Sequence, residues 1–287
     1  MDAGRPAALS GPGALLGEHG FAPCQVFAGG RERHSEDRNG FATAQVLRAL
    51  GGDARAVLGA RRHDAALGVL ESCRNPDTGA FRFWPLEARP PWAPDLPDDG
   101  DDTALMALLL WKADRLSLAA LRRTACRTVV SHRLAATIQP GPGWPRTGTF
   151  KTWLRPGLAP NIADCTVNAN ILAMLAAAGL RSVPGYQEAV LMIEDAVLWA
   201  GEDAARAETL SLFYPDPAEM VLAVEAAVAE GVRELRPVLA AMKSSPMWCR
   251  LAERSRVAEP VICGIPYGFL RWTCAGVGAA RRLAGIA

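Results

Sequence analysis

The chain has 287 residues, a net charge of +1 and a hydrophobic fraction of 50%. This length is sufficient for one large core, and the near-neutral charge offers no basic surface, so nucleic acid is not an expected partner. The seven cysteines form no Cys-x-x-Cys pair, which favours a reducing, cytoplasmic environment. No apolar run approaches the roughly 18 residues of a membrane-spanning helix. Mean hydropathy is nevertheless +0.07, which favours an apolar ligand or contact with a membrane surface.

Helical periodicity runs through most of the chain, whereas strand signals are nearly absent. The charged segment 29–40 is expected to be a solvated loop, with Arg31, Arg33 or His34 near a polar substrate head as the alternative. Gly or Pro separates most of the predicted helices. These helices cover residues 41–51, 54–74, 101–113, 116–135, 164–179, 186–200, 217–231, 233–252 and 267–284, with a further short helix at 12–18.

Two repeats organise the predicted helices. Thr43, Thr103 and Thr166 begin similar apolar helices, 60 and 63 residues apart, and a Gly-x-Phe-x-x-Trp pattern occurs at 79–84 and again at 148–153. The helices between the apolar ones are amphipathic, which suits an inner ring of helices enclosed by an outer ring. We therefore predict an all-α fold, an α/α barrel (toroid) of about five to six helical hairpins. It should form one domain over residues 36–287, after a partly irregular segment at 1–35.

Aromatic residues collect in the loops that lead into the apolar helices. If the barrel closes, these loops gather at one mouth, where the rings either fill the barrel as core or form the wall of a substrate pocket. The residues concerned are Trp84 and Trp92, Phe150 and Trp153, Phe213 and Tyr214, and Tyr267 and Trp272.

Five aspartates stand within eight residues, at positions 95, 98, 99, 101 and 102, directly before an apolar helix. A solvated acidic cap is the simpler interpretation, because acids at a helix start are favoured by the N-cap and the helix dipole. Repulsion among crowded carboxylates and poor solvation beside apolar rings predict instead that at least one carboxyl keeps its proton to higher pH. Such a neutral acid would be able to protonate a weak base.

The segment Asp99-Gly100-Asp101-Asp102-Thr103-Ala104 resembles the Asp-x-Asp-Asp-Thr-Ala motif of class II terpene cyclases, the group that includes squalene–hopene cyclases. The Gly-x-Phe-x-x-Trp repeats are similar to loop repeats of that family, although they lack its leading glutamine. The resemblance implies an α/α barrel with Asp101 as proton donor and with Asp99 and Asp102 polarising it. It also implies protonation of an alkene or epoxide and cyclisation through a carbocation, which aromatic faces stabilise.

Asn168 and Asn170 are polar residues in an otherwise apolar helix. Their i, i+2 spacing places them on different faces, so each is either a partner of the acids or an amide that packs helices. No Glu-Asp-x-x-Asp motif is complete, so no metal or cofactor is expected, and magnesium enters only if the substrate is a diphosphate. The Asp164-Cys165 pair resembles zinc ligands of protein prenyltransferases, but all four histidines precede it, so zinc is not expected.

These features predict a cytoplasmic, class II terpene cyclase-like isomerase that acts on an isoprenoid or prenylated small molecule. The single-domain length leaves open a homodimer that completes the pocket. Two alternatives remain. One is a binding protein that holds an apolar, isoprenoid-like ligand without converting it. The other is a structural repeat protein whose acidic cap binds a divalent cation or nothing.

Overall fold

A computed structural model describes residues 15–28, 31–93, 95–138, 141–155, 162–265 and 270–285, with the side chains of 31–35 outside the description. The helices are α1 (Gly40–Leu50), α2 (Ala54–Leu58), α3 (Ala60–Ser72), α4 (Gly100–Lys112), α5 (Leu118–Thr124), α6 (Cys165–Ala177), α7 (Tyr186–Ala200), α8 (Ala204–Ala207), α9 (Ala218–Ala229), α10 (Arg236–Ser244), α11 (Pro246–Glu253) and α12 (Ala275–Leu283). The strands are β1 (Cys24–Ala28), β2 (Arg31–Asp37), β3 (Val261–Gly264) and β4 (Leu270–Cys274).

The fold contains a four-stranded antiparallel sheet in the order β2-β1-β4-β3, so the prediction of an all-α fold and an α/α barrel is wrong. Strand β1 pairs with β2 on one side and with β4 on the other, which joins the two ends of the chain. The strands are only four to seven residues long, and the β2 sequence RERHSED has no apolar alternation. A period of two is not recognisable over such lengths, and this is why the sheet was not predicted.

Several predicted helices also differ from the structure. The first part of 267–284 is β4, and residues 15–18 are turns rather than helix. The segment 54–74 is split at Gly59, whose φ of 77° lies in the left-handed region. The segment 233–252 is broken before Pro246, which begins α11 because proline is favoured in the first helical turn. The segment 116–135 leaves the α-helical form at Ala125 for a π-helical turn.

Five helices, α12, α1, α4, α6 and α9, pack side by side in that order, and we call them the inner helices. On their outer side, α3 packs on α1 and α4, α5 on α4, α7 on α6, and α10 and α11 on α9. Helix α6 is buried along almost its whole length, in keeping with its nearly continuous apolar sequence. Among the described helices, none has both the length and the apolar character needed to cross a membrane.

Helices α1, α4 and α6 begin close to the predicted starts at 41, 101 and 164, and each begins with the same kind of cap. The side chains of Asn39, Asp99 and Asp164 accept a hydrogen bond from the backbone N–H three residues later, at 2.7, 2.7 and 3.0 Å. These bonds satisfy backbone donors that have no partner within the helix. The caps fix where each inner helix starts.

A second contact repeats four residues after each cap. Thr43, Thr103 and Asn168 each accept a hydrogen bond from a backbone N–H earlier in the chain: that of Ala22, before β1, at 3.2 Å, and those of Phe81 and Phe150, in the loops before α4 and α6, at 2.9 and 3.0 Å. Asn168, rather than Thr166, is therefore the counterpart of Thr43 and Thr103. These bonds hold each loop against its helix, and the loops before α4 and α6 meet where Asp99 pairs with Trp153.

Candidate functional site

The five aspartates before α4 lie in different environments. Asp95 is exposed to solvent. Asp98 accepts hydrogen bonds from Arg82 at 2.6 Å, Thr78 at 2.7 Å and Asn75 at 2.9 Å, so it holds the preceding loop together. The other three, at 99, 101 and 102, are buried at the start of the helix, with 6%, 6% and 1% of their surface exposed. The solvated-cap interpretation therefore applies to Asp95 and not to these three.

Asp101 is held by two donors from other inner elements. Its Oδ1 accepts a hydrogen bond from Asn170 Nδ2 at 2.8 Å, and its Oδ2 accepts one from the hydroxyl of Tyr214. Behind Asn170, the guanidinium of Arg48 donates to Asn170 Oδ1 at 2.9 Å. A continuous chain of polar contacts therefore runs from Arg48 through Asn170 to Asp101 and Tyr214.

Opposing influences act on the pKa of Asp101. Burial raises it, while the hydrogen bonds from Tyr214 and Asn170 and the charge of Arg48 lower it, and the net direction is upward. Burial, followed by the charge of Asp101, raises the pKa of Tyr214 well above its ordinary value, so the phenol keeps its proton. The site thus combines an acid whose pKa is raised by burial with groups already placed to stabilise its anion.

Asp99 and Asp102 form a second acidic pair beside Asp101. Burial raises the pKa of Asp99 to about 7, and burial together with Asp99 raises the pKa of Asp102 well above its ordinary value. Within the described ranges, neither carboxyl oxygen of Asp102 has a hydrogen-bond donor. An ionised carboxyl group only accepts hydrogen bonds. A hydrogen bond between Asp99 and Asp102 therefore requires a proton on one of the two. Asp102 is the acid that holds it most firmly.

The three acids share a small pocket with aromatic rings. The cavity has a volume of about 50 Å³, and its wall includes Trp153, Phe213, Tyr214 and Trp272, as the loop positions predicted. Its other lining residues were not predicted: Phe41, Phe83, Leu96, Thr152, Val167, Cys263, Gly264 and Ile265. Pockets that hold a whole small-molecule ligand usually measure about 300 to 1,000 Å³. In this conformation the pocket is too small for a whole small-molecule ligand.

Ring contacts and one buried carboxylate fix the aromatic wall. Trp153 and Phe213 pack edge to face with centroids 5.3 Å apart, and Phe83 packs similarly on Trp272 at 5.1 Å. The indole N–H of Trp272 donates to Asp37 on β2 at 2.7 Å. The sheet therefore contributes directly to the site, through β2 and β4.

Four of the predicted substrate-binding residues lie elsewhere. Trp84 packs behind Phe83 and donates its N–H to Asp37 at 2.9 Å, and 43% of the Trp92 surface is exposed. Phe150 is fully buried in the core, where Asn168 binds its backbone N–H and C=O. These four residues, Trp84, Trp92, Phe150 and Asn168, support the fold and do not line the pocket. Of the two candidate asparagines, only Asn170 contacts an acid.

Other predicted residues fall outside the described part of the chain. Tyr267 belongs to the segment 266–269, and the side chains of Arg31, Arg33 and His34 are also not described. The backbone of residues 31–37 is strand β2, so the prediction of a solvated loop there is wrong. Asp37 at the end of this strand is buried and accepts the two indole hydrogen bonds.

Sequence reasoning missed Arg48, Glu219 and Arg281. Glu219 and Arg281 form a buried two-bond ion pair, with both N–O distances 2.7 Å, and both residues influence the pKa of Arg48. The available signal was a charged residue inside an apolar helix, as in FATAQVLRAL for Arg48 and AEMVLAVEAAVA for Glu219. Charges are rarely buried without a partner, so such positions indicate buried polar contacts.

In the described ranges, no group of three or more His, Cys, Asp or Glu side chains is arranged to hold a metal ion. No family model matches the chain, and neither curated proteins nor solved structures gave a match. Function is therefore inferred from the geometry and chemistry of the site.

Proposed function

We propose that the protein is a Brønsted-acid catalyst that cyclises or isomerises an isoprenoid or prenylated small molecule through a carbocation. Asp101 supplies the proton to an alkene or epoxide at the substrate's end. One observation carries the proposal: a buried acid with a raised pKa opens onto a pocket whose wall includes Trp153 and Phe213. The resemblance of residues 99–104 to the class II terpene cyclase motif points the same way.

The proton-transfer step uses groups that are already in place. The O–H bond of Asp101 breaks, a new bond to hydrogen forms on the substrate, and a carboxylate remains. Asn170 and Tyr214 donate hydrogen bonds to that carboxylate, and the charge of Arg48 acts through Asn170. Donors fixed before the reaction stabilise developing charge without reorganisation, which lowers the barrier to proton transfer.

Asp99 assists by keeping Asp101 protonated between turnovers. Burial raises the pKa of Asp99 to about 7 and that of Asp102 well above its ordinary value, and a negative charge on Asp99 repels one on Asp101. We assign Asp102 as the neutral member of the pair, which donates to Asp99. Both are positioning residues in this scheme, because the proton that reaches the substrate belongs to Asp101.

The wall of the pocket suits a positively charged intermediate. The rings of Trp153, Phe213 and Trp272 surround the space beside the acids, and each aromatic face stabilises a nearby cation by about 0.5–2 kcal/mol. The apolar wall also limits access of water, which would otherwise capture the cation. Because the cavity measures about 50 Å³, binding of a complete substrate requires the pocket to widen.

The test is an incubation of the wild-type protein with isoprenoid alcohols, diphosphates and epoxides, with products detected by mass spectrometry. Asp101→Asn should then reduce turnover by about 10²- to 10⁴-fold, the usual effect of removing a general acid. Its melting temperature should stay unchanged or rise, because Asp99 and not Asp101 caps the helix. Asp95→Asn, at an exposed position of the same segment, is the matched control and should keep full activity.

Two results would contradict the proposal. Wild-type turnover by Asp101→Asn would show that the proton comes from another group. Binding of an isoprenoid without any product, unchanged in Asp101→Asn, would instead identify a protein that holds its ligand without converting it.

A further inference from the structure

The inner helices enclose a second and larger cavity, of about 650 Å³, on the other side of Asn170 from the acid pocket. Asn170 lines this cavity with one side of its amide group and donates to Asp101 with the other. The volume falls within the range of about 300 to 1,000 Å³ that is typical of small-molecule sites. The cavity extends along α1, α4, α6 and α9 as far as Lys112 and Glu230, near the C-terminal ends of α4 and α9.

The middle of the cavity is apolar, with Arg48 at one end and, at the other, Lys112, Glu225 and Glu230, whose charges are paired. Leu105, Leu108 and Leu222 line the walls, and small residues such as Ala226 leave the space between them open. The end nearest to Asn170 carries Arg48, which is half-buried as a residue. This distribution matches a molecule with an apolar chain and a single polar head.

Arg48 is the feature that defines the head group. The other Arg and Lys side chains of the wall are in ion pairs: Arg55 with Asp64, Lys112 with Glu230, and Arg281 with Glu219. Arg48 contacts only the neutral carbonyl of Asn170, and no described carboxylate lies within ion-pair distance of it. Burial lowers the pKa of Arg48, and the charges of Glu219 and Asp101, which lie beyond ion-pair distance, offset this effect only in part, so an anionic ligand in direct contact would stabilise the guanidinium.

A second unpartnered polar group lies in the same wall. Gln45 is 1% exposed, and in the described part of the chain neither atom of its amide group has a hydrogen-bond partner. It stands one helical turn before Arg48 on α1, so both side chains lie on the face that lines the cavity. Buried polar groups without partners are uncommon and often mark a ligand or water position.

We propose that this cavity binds an amphipathic carboxylate, with its apolar chain along the leucine walls and its carboxylate on Arg48. One unpaired cation matches one negative charge, and a guanidinium accommodates a carboxylate through two parallel hydrogen bonds. Phosphate monoesters and diphosphates carry about two or more charges, which the paired cations of the wall do not balance. This site is distinct from the acid pocket and does not depend on the proposed acid chemistry.

Isothermal titration calorimetry of the full chain tests the proposal, with dodecanoate, dodecanol and dodecyl phosphate as probes below their micelle concentrations. Dodecanoate should bind at least about tenfold more tightly than dodecanol, because a hydrogen bond to a charged group contributes roughly 1.5–3 kcal/mol. Arg48→Gln should weaken dodecanoate binding by about tenfold or more and leave dodecanol binding within about twofold. Arg55→Gln, at an exposed and paired arginine of the same wall, should change neither.

Ala226→Trp provides an independent test because it fills the cavity from a partly exposed position. It should abolish binding of both dodecanoate and dodecanol, with a melting temperature close to wild type. Arg48→Lys keeps the charge and should give an intermediate affinity, which guards against a loss of folding in Arg48→Gln. Dodecanoate affinity that is unchanged in Arg48→Gln or in Ala226→Trp would overturn the proposal. So would dodecanol binding as tightly as dodecanoate, or dodecyl phosphate binding more tightly.

Discussion

Asp102 occupies the environment least suited to a negative charge among the aspartates before α4. Only 1% of its surface is exposed, its oxygens have no donor within the described ranges, and Asp99 and Asp101 are its neighbours. The native state therefore retains protons on this cluster at pH values where the unfolded chain has lost them. The free energy of unfolding must therefore change with pH, in the direction set by these raised pKa values.

We expect the free energy of unfolding to fall as pH rises through the window between the two states. For Asp99 this window extends from 3.8 in the unfolded chain to about 7 in the native protein. Within it the native state binds more protons, so stability is greatest at the acid end and decreases by about 1.4 kcal/mol per pH unit for each extra proton. Urea denaturation at several pH values measures this slope.

Asp102→Asn should flatten that dependence, because asparagine resembles the protonated acid and donates to Asp99 at any pH. The variant should be more stable than wild type at alkaline pH, where the wild-type cluster is forced to ionise. Asp95→Asn is the control at an exposed position and should leave the slope unchanged. A destabilised Asp102→Asn protein at alkaline pH would show that the acid is ionised and stabilised by contacts.

At the residue scale, the cluster of aspartates could be predicted from the sequence, whereas the contacts that hold Asp101 in place could not. The crowding of Asp99, Asp101 and Asp102 is a local pattern, and their burial beside aromatic rings follows from the apolar helix after them. The contact between Arg48 and Asn170 joins residues 122 positions apart, which no local spacing reveals. Asn168 and Asn170 appeared equivalent from the sequence, and only the direction of the helix face separates them.

Gly100 determines how closely α4 approaches the loop that precedes α6. Its backbone N–H donates to the carbonyl of Thr152 at 2.7 Å. A Cβ at this position would lie 2.8 Å from the carbonyl oxygen of Lys151 and 3.1 Å from Ile171 Cδ1. The glycine inside the acidic motif therefore serves packing, because it lets the loop bring Trp153 beside Asp99.

We expect Gly100→Ala to lower the free energy of unfolding by about 1–3 kcal/mol, the usual effect of overpacking. Gly68→Ala is the matched control in α3, where a Cβ meets no atom within 4 Å. That substitution should stabilise the protein by roughly 0.5–1 kcal/mol, because alanine is the better helix former. Thermal and urea denaturation measure both. Equal effects at the two positions would mean that the loop does not constrain Gly100.

At the element scale, the inner helices were predicted because their signals are local. Apolar runs with polar caps placed the starts of α1, α4 and α6 within about one residue of those observed. Breaks inside helical patterns were harder to predict. Gly59 and Pro246 interrupt periodic segments, and both residue types are also tolerated near helix ends. Whether such a residue breaks a helix depends on whether the segments on its two sides pack along one axis or along two.

The whole molecule is closed by contacts between its two ends. Strand β1, near the N-terminus, pairs with β4, and α12 packs against α1. Repeating helix pairs indicated a ring of helices, but the sheet that joins residues 24–28 to residues 270–274 has no counterpart in the repeat. Pairing over this sequence separation depends on where the helices place the chain ends. The sequence pattern therefore located individual inner helices, whereas the all-α barrel predicted from them is wrong, because a sheet joins the first and last elements.

Glu219 and Arg281 form the buried link between α9 and α12. Their exposed fractions are 1% and 2%, and two hydrogen bonds of 2.7 Å connect them. Removing one partner leaves the other charge buried and uncompensated, so Glu219→Leu or Arg281→Met should each lower the free energy of unfolding by about 3–5 kcal/mol. The double variant Glu219→Leu/Arg281→Met removes both charges and should lose less than the sum of the two single variants.

Urea denaturation of the four proteins in this cycle measures the coupling between α9 and α12. The exposed pair of Arg206 and Asp203, 3.4 Å apart, is the control, and Arg206→Met should change stability by no more than about 0.5 kcal/mol. If the single variants at Glu219 and Arg281 lose no more than this control, the ion pair does not hold the two helices together. The contact between the first and last elements of the chain would then depend on the sheet and on the packing of α12 against α1. A large coupling would instead show that the inner helices are closed by one buried ion pair, which also supplies part of the electrostatic environment of Arg48.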